Sequence, residues 1–474
     1  MAIKFGTSGF RGIIGDNWTK ENVQKIGYAF RQMVEGELKN VGKSVRIVVG
    51  FDNRFMGRES AQWLVEAMSC DLINITFMDK SVPTNVIVFK AVSQFDYGIM
   101  ITASHNPYQY NGIKVFLPGG KDADDGFFDR LSRHISDLKR MGSTPFAKLV
   151  ESHAVVLSNH IEDYIEKVLS SINVEKIKNS KIKVLFNPMH GSGREVVETI
   201  FDRLEIKYDT MNGKPDPMFG GGMPAPYKHL LKEQSKRIVK DKFSVGFALD
   251  GDGDRVAFLD SNGEFYDCNY LLAVLYYYLT EYKKQSGGVV RSFLSSNLTG
   301  QLCEKYGQEM YETKVGFKYL AQTLEDTDAI LAGESTGIAF KEMALSKDGI
   351  FTAFQMIDAL VAMKKNIGKI IEEVTDIVNF PTYYIEGAYS FDEAERDSVK
   401  KRILNEDNLE KISKTKSIEK HSDGIKIHFA DGYWAAARMS GTEPVVRLYT
   451  EMQNQEKAEE ITKKLEKSYG LKKQ

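Results

Sequence analysis

Short apolar runs that stop abruptly at glycine, proline, asparagine or aspartate alternate, through the first three quarters of the chain, with longer amphipathic stretches. Val45 to Phe51, Tyr97 to Thr102, Lys183 to Asn187, Ser244 to Leu249, Val289 to Phe293 and Ala329 to Ala332 predict buried strands. Thr19 to Gly36, Ser60 to Ser69, Asn159 to Asn173 and Tyr270 to Tyr282 predict helices between them. Strand, helix and strand in alternation imply α/β layers with mostly parallel pairing. Asp348, in Lys347-Asp348-Gly349, is expected to cap one further helix. Beyond Phe380-Pro381, read as a linker, the polar faces become lysine-rich, and Ile425 to Phe429 with Trp434 to Ala437 predict antiparallel strands. No exact repeat is present, yet the first three segments share one strand-to-loop grammar.

Length and charge narrow the picture. With 474 residues the chain exceeds one compact core, and three or four domains are expected. Its 63 basic and 65 acidic residues nearly cancel, so no global field draws it to nucleic acid or to a membrane surface. Affinity for phosphate must therefore be local. Cys70, Cys268 and Cys303 are widely spaced and form no Cys-x-x-Cys, which suits a reducing cytoplasm. The amino terminus lacks a long apolar segment and no run reaches about 18 apolar residues, so neither a signal peptide nor a membrane span is expected. No heptad or exposed apolar face predicts an assembly state.

The chemistry concentrates where strands end. Ile101-Thr102-Ala103-Ser104-His105-Asn106-Pro107 presents one serine just past the carboxyl end of a strand, where open α/β sheets bind ligands. The Gly-x-Ser-x-Gly elbow is absent and His105 is too close along the chain for a triad base, so Ser104 reads as the carrier of a phosphoryl group, the alternative being a polar loop that caps the next segment. Lys114, in Asn111 to Phe116, is either an exposed strand-edge lysine or a proton mover whose pKa is lowered by partial burial and a second cation. Asp250-Gly251-Asp252-Gly253-Asp254-Arg255 offers three alternating carboxylates on a loop that two glycines allow to fold tightly, a donor set suited to magnesium. The EF-hand pattern fails, because Arg255 occupies the sixth position and Ser261 the twelfth. Around Arg11 the chain is glycine-rich, Gly333 to Gly337 sets Glu334 beside hydroxyls, and Arg438 to Arg447 brackets Ser440-Gly441-Thr442 with guanidinium forks in one loop. Taken singly, each of these is as well explained by a turn.

Together they resemble the α-D-phosphohexomutase family of phosphoglucomutases and phosphomannomutases, in order from Phe5 to Glu451. The resemblance implies an α/β fold of four domains, the first three related and the last a smaller α+β domain, around a central cleft. Domains are expected at 1–150, 151–258, 259–374 and 375–474, carrying the phosphoserine, metal, sugar and phosphate loops in turn. Carried over to this sequence, Ser104 matches the phosphoryl carrier, and Asp250, Asp252 and Asp254 match ligands of a magnesium ion that also touches the serine phosphate. Lys114 and Arg11 match residues of proton transfer and transition-state stabilisation, and His105 lines the same site. Glu334 and Thr336 correspond to the sugar-reading pair, although the family usually has serine where this chain has Thr336. Arg255 and Lys318 join the substrate-binding set, and Arg438, Ser440, Gly441, Thr442 and Arg447 match the site for the phosphate that is not transferred. Val315-Gly316-Phe317-Lys318 is more similar to glucose-type members than to phosphoglucosamine mutases.

The resemblance therefore implies a cytoplasmic isomerase in which phospho-Ser104 converts a hexose 1-phosphate to the 6-phosphate through glucose 1,6-bisphosphate, which also serves as activator. The intermediate is expected to turn over, with hinging of the last domain. A phosphoglucosamine mutase or a phosphopentomutase is the alternative. A phosphatase would lose the phosphoryl to water, and a non-catalytic sugar-phosphate binding protein would carry no phosphoserine.

Overall fold

The computed structural model of the chain describes residues 3, 5–6, 9–38, 43–136, 138, 141–159, 161–405, 412, 415–440 and 444–471. The chain divides into two compact units, one of residues 1–293 and 308–368, the other of residues 294–307 and 369–474.

The first unit holds three sheets among its described residues. In the largest, the strands Ile73–Met78, Val45–Phe51, Tyr97–Ile101 and Tyr110–Leu117 lie side by side in that order; the first three are parallel and the last runs back against Tyr97–Ile101. The second sheet repeats the arrangement with Lys207–Thr210, Lys183–Asn187, Val245–Leu249 and Val256–Asp260. The third repeats it with Met310–Thr313, Val289–Ser292, Leu331–Glu334 and Gly337–Phe340. The shared grammar of the sequence is thus one strand order used three times.

Pairing is mixed rather than mostly parallel. Each third strand turns back at once through a short polar loop, and a loop of that length can join only antiparallel neighbours. Those turns are Thr102 to Gln109, Asp250 to Arg255, and Ser335-Thr336. The expected chemistry therefore sits at equivalent positions in all three sheets.

The first sheet is covered by Lys20–Leu38 and Gly57–Met68, whose apolar faces bury Phe30, Met33, Leu64 and Met68 against Ile47, Val49, Ile99 and Ile101. At Gly27 a Cβ would lie 2.4 Å from the Leu64 carbonyl oxygen, so the close approach of these helices requires glycine. The helix Gly349–Met363 is buried along nearly its whole length, as its near-continuous apolar sequence demands. Asp348 caps it, accepting from the Phe351 amide at 2.8 Å. Where one helix is expected over Tyr270 to Tyr282, an α-helix, Cys268–Tyr277, passes into a wider π-turn, Tyr278–Tyr282. Cys70, Cys268 and Cys303 form no disulfide.

The second unit is an antiparallel sheet ordered Tyr383–Ser390, Val445–Met452, Trp434–Met439, Gly424–Phe429 and Thr415–His421, with the helix Gln455–Tyr469 packed on it. The helix Leu298–Lys305 belongs to this unit although it lies far upstream. Among the described residues, no helix is long and apolar enough to cross a membrane.

Candidate active site

The strand Tyr97–Ile101 is buried and delivers Thr102, Ala103 and Ser104, buried in their turn, to the first hairpin loop. Ser104 takes φ 52°, a left-handed conformation that costs a non-glycine residue roughly 1 kcal/mol or more. Its surroundings hold it there. The Ser104 amide donates to Thr102 Oγ1 at 2.8 Å, and that hydroxyl donates to Asp52 Oδ2 at 2.6 Å. Arg54 Nη2 donates to the carbonyls of Ser104 at 2.5 Å and Asn106 at 2.6 Å, while Nη1 donates to those of Pro107 at 2.9 Å and Tyr110 at 3.1 Å. One guanidinium thus gathers the whole loop, with its carbon 4.8 Å from the Phe219 ring centre. Asp52 and Arg54 stand just past the strand Val45–Phe51, and the sequence alone assigns them no role.

The second hairpin loop meets the first directly. Ser104 Oγ donates to Asp250 Oδ2 at 2.6 Å and lies 3.5 Å from His105 Nδ1. At Gly251 a Cβ would stand 2.8 Å from the Ser104 carbonyl oxygen, so only glycine lets the two backbones approach. Asp250, Asp252 and Asp254 are buried, with one carboxylate oxygen of each inside a 4.8 Å cluster. Asp252 Oδ1 and Asp254 Oδ1 have no hydrogen-bond partner. Buried anionic oxygens left without a hydrogen bond are costly, and a hard divalent cation satisfies both at once while neutralising the third carboxylate of the cluster. The donor set fits magnesium.

The Pro188 to Gly193 turn of the second sheet supports this loop. Ser192 donates its amide to the Gly251 carbonyl at 3.0 Å, and Asn53 Nδ2 donates to the His190 carbonyl at 2.9 Å. From the first sheet, Thr84 donates its amide to the Asp252 carbonyl at 2.8 Å and its hydroxyl to Asp252 Oδ2 at 2.7 Å.

Lys114 lies on Tyr110–Leu117 between Gly9–Ile13 and Tyr97–Ile101, so it is buried inside the sheet and not on an exposed edge. Its Nζ is 2.7 Å from Asp252 Oδ2 and 2.6 Å from Asp254 Oδ2. Burial alone would lower its pKa, as the sequence suggested, but the two carboxylates outweigh burial and hold the ammonium above the ordinary lysine range. Burial and the neighbouring carboxylates of Asp252 and Asp254 push Asp250 well above the usual carboxylate range. Asp252 falls below that range, because Lys114 and the Thr84 hydroxyl overcome its burial. His105 is held well below 6.5 by burial and then by Arg255, Arg11, Lys347 and Lys114.

Arg11 Nη1 donates to Asn106 Oδ1 at 2.6 Å, which ties the glycine-rich segment to the serine loop. The Arg255 amide donates to Asp250 Oδ1 at 3.0 Å, and its buried Nε has no hydrogen-bond partner. Lys347, which the sequence marked only as flanking a cap, brings Nζ to 3.8 Å from Asp254 Oδ1. In the third hairpin Glu334 pairs in register with Gly337, and Thr336 Oγ1 donates to Glu334 Oε1 at 2.8 Å. Glu334 also acts electrostatically on Arg255. Lys318 is instead engaged by Asp125, with Nζ 2.6 Å from Oδ2.

In the second unit Arg438 and Arg447 do not share a loop. They face each other in register on Trp434–Met439 and Val445–Met452, because the apolar pattern carries both strands past them. Arg438 Nε is 2.6 Å from Asp423 Oδ2, and Arg447 Nη1 is 3.1 Å from Glu386 Oε1. The Ser440 amide donates to the Val445 carbonyl at 2.8 Å, closing the hairpin below its tip. Gly441 and Thr442 lie outside the described residues.

The chain matches phosphoglucomutase/phosphomannomutase alpha/beta/alpha domain I over residues 2–140, domain II over 162–263, domain III over 267–377, and the C-terminal domain over 398–468. It is 30% identical over 470 residues to a phosphoglucomutase/phosphomannomutase of Thermococcus kodakarensis, covering 97% of each chain. A phosphoglucosamine/phosphogalactosamine mutase of Sulfurisphaera tokodaii is 28% identical, over 98% of this chain and 99% of its own. The fold is shared with the open form of a Paramecium phosphoglucomutase, parafusin, at a TM-score of 0.84 and 20% identity, covering 99% of this chain and 96% of that one. The chain belongs to the phosphoglucomutase/phosphomannomutase family and has its four-domain α/β architecture. It is a mutase, an isomerase acting on carbohydrate phosphates.

Proposed function

We propose that the protein interconverts glucose 1-phosphate and glucose 6-phosphate through phosphorylated Ser104 and glucose 1,6-bisphosphate. The observation that carries this reading is the convergence of Ser104 Oγ, at 2.6 Å, on a buried three-aspartate loop ringed by cations. Asp250, Asp252 and Asp254 would hold a magnesium ion, with an oxygen on Ser104 completing the set; the ion would supply neutralisation of phosphoryl charge.

Phosphoryl transfer needs alignment and charge neutralisation more than covalent assistance. In the forward step the P–O bond to Ser104 Oγ breaks as a bond from phosphorus to the sugar hydroxyl forms. The hydroxyl proton leaves to a base, for which neutral His105, with Nδ1 3.5 Å from Oγ, is the group at hand, while the Lys114 ammonium, held by Asp252 and Asp254, adds positive charge beside the transfer. Arg11 and Arg255 balance the charge of the transferring group. Glu334, Thr336 and Lys318 are assigned to the sugar, Lys318 exchanging its exposed partner Asp125 for substrate. Arg438, Ser440, Gly441, Thr442 and Arg447 are assigned to the other phosphate. Support comes from the two arginines standing directly opposite each other in register, which brings two guanidinium groups, each also paired with a carboxylate, to one side of the sheet where a phosphate could share them.

A second reading is glucosamine 1-phosphate as the preferred substrate, because several relatives of similar identity are named phosphoglucosamine mutases. Coupled assays with glucose, mannose, glucosamine and ribose 1-phosphates decide between them. The glucose reading requires the largest kcat/KM for glucose 1-phosphate, and a tenfold preference for glucosamine 1-phosphate overturns it. Intact mass must show one phosphoryl group on the active protein and none on Ser104→Ala. Release of inorganic phosphate without isomer would instead mean a phosphatase.

A further inference from the structure

A cavity of about 1010 Å³ opens at the end of the second sheet opposite the acidic loop. It is bounded by the start of the strands that contain Lys183 and Val245, by the end of Val256–Asp260, and by the carboxyl end of the helix Gly349–Met363. The strands Val245–Leu249 and Val256–Asp260 each span five residues, about 17 Å, between this cavity and Asp250 to Arg255. The mutase chemistry has no use for it.

Its lining has two characters. Ile182, Val245, Leu360 and Ala362 give an apolar surface, and Lys176, Lys181, Lys364 and Lys365 stand around it with Asp260 as the one acidic residue of the lining. Four ammonium groups to one carboxylate is a marked local excess in a chain whose formal charge is −2. Lys176, Lys181 and Lys364 form no ion pair with any described residue. Lys364 is held at φ 56°, capping its helix with its amide on the Leu360 carbonyl at 3.0 Å. That places an ammonium side chain where the helix dipole is negative and where basic residues are at home.

Asp260 adds a directed acceptor. Its Oδ1 takes the amides of Asn262 at 2.9 Å and Glu264 at 3.1 Å, while Oδ2 has only the Tyr266 hydroxyl at 3.5 Å. Ser261 and Asn366 lie beside it and approach each other at 3.4 Å. An apolar surface suits a planar ring, a carboxylate with spare capacity suits a hydroxyl pair, and a ring of lysines suits a polyphosphate. The volume lies at the upper end of the range for small-molecule sites, roughly 300–1,000 Å³.

We propose that this cavity is a second ligand site, separate from the sugar-phosphate site, for a nucleotide carrying two or three phosphates. A bare sugar phosphate has no apolar body to cover the floor, and a nucleoside has nothing for the lysines. Lys176, Lys181 and Lys364 hold the phosphates, and Asp260 accepts from the ribose.

The test is calorimetric titration of the full chain with ATP in excess magnesium and saturating glucose 1,6-bisphosphate, with adenosine and inorganic tripolyphosphate as separate probes. One equivalent of ATP should bind at least tenfold more tightly than either probe. Lys176→Glu with Lys364→Glu should weaken ATP at least tenfold and leave binding of glucose 1,6-bisphosphate unchanged, which also reports that the variant is folded. Ala362→Phe, which fills the floor without touching charge, should weaken ATP to a similar degree. ATP affinity weaker than about 1 mM, competition with the sugar bisphosphate, or indifference to both variants would overturn the proposal. Because mutase activity is measured separately, failure here leaves the reading of the active site standing.

Discussion

Arg54 shows how much one side chain can fix. Its two terminal nitrogens donate to four carbonyls in and just beyond the serine loop, and its Nε lies 3.3 Å from the buried carboxylate of Asp52. Lysine at this position keeps the charge but reaches at most part of that set from one point. Arg54→Lys should lower the unfolding free energy by about 3 kcal/mol, the scale of disturbing a buried ion pair, as read by urea denaturation. It should also lower kcat about 100-fold with little change in KM, because Ser104 would no longer be pinned at its left-handed geometry. A variant that loses stability but keeps kcat would reduce Arg54 to a packing residue. The aspartates give a second prediction at this scale. A cation bound only by the folded state raises stability by about 2.7 kcal/mol at 100 times its dissociation constant. Magnesium added to the chelator-treated protein should raise Tm and restore activity, whereas Asp254→Asn should abolish most of both responses. Equal Tm shifts in the two proteins would remove Asp254 from the metal site.

At the scale of elements, the helix Gly349–Met363 ties the acidic loop to the body of the first unit. Its amino end is close enough to the loop that a Cβ on Gly349 would stand 2.7 Å from the Gly253 carbonyl oxygen. Its cap, Asp348, is buried, and both carboxylate oxygens accept from the Tyr164 hydroxyl at 2.9 Å. Burial pushes the Asp348 carboxyl up to about 7 from 3.8, against the downward pull of the Phe351 amide and Tyr164. Between those values the folded chain holds a proton that the unfolded chain has lost, so this residue's contribution to stability is full below about 4 and falls as pH rises to about 7. Asp348→Asn keeps the cap without the titration. Its stability relative to the native chain should therefore increase by a few kcal/mol between pH 4 and 7, measured by urea midpoints across that range. A difference that does not vary with pH would mean that Asp348 stays ionised. The cap itself could be read from the sequence because capping is local. Lys114 could not be placed in the same way. Whether Asn111 to Phe116 forms an edge or an interior strand depends on Gly9–Ile13 pairing beside it, a contact nearly a hundred residues distant in sequence. The serine, the three aspartates and Glu334 were legible because each follows a buried strand at once. Arg54 and Lys347 were not, since their meaning lies only in the carbonyls and carboxylates that the fold brings to them.

The whole molecule repeats one strand order three times and then changes architecture, and the change is secured by a segment borrowed from upstream. Residues 294–307 belong to the second unit, and the buried carboxylate of Glu451 fastens them there. Glu451 accepts from the Ser296 hydroxyl, from the Asn297 amide at 2.9 Å, from Thr382 Oγ1 at 2.9 Å and from Trp434 Nε1 at 2.7 Å. Four donors converge on one anion, and the Ser296 hydroxyl and the Trp434 indole among them are buried with it. Glu451→Ala takes the acceptor from the buried Trp434 indole and from three further donors, at about 1–3 kcal/mol for a buried group that loses its partner, so a loss of about 3–5 kcal/mol is expected. Glu451→Gln fills the same space but sets an NH₂ group against N–H donors. It should lose nearly as much, which separates the hydrogen-bonding role from simple packing. Hydrogen exchange gives the decisive reading. If residues 294–307 fold with the C-terminal sheet, both variants should speed exchange in that segment and in Trp434–Met439 together, while Tyr97–Ile101 and Val245–Leu249 keep their protection. Loss of protection in the upstream segment alone would mean that it is docked on the sheet and not part of its cooperative unit.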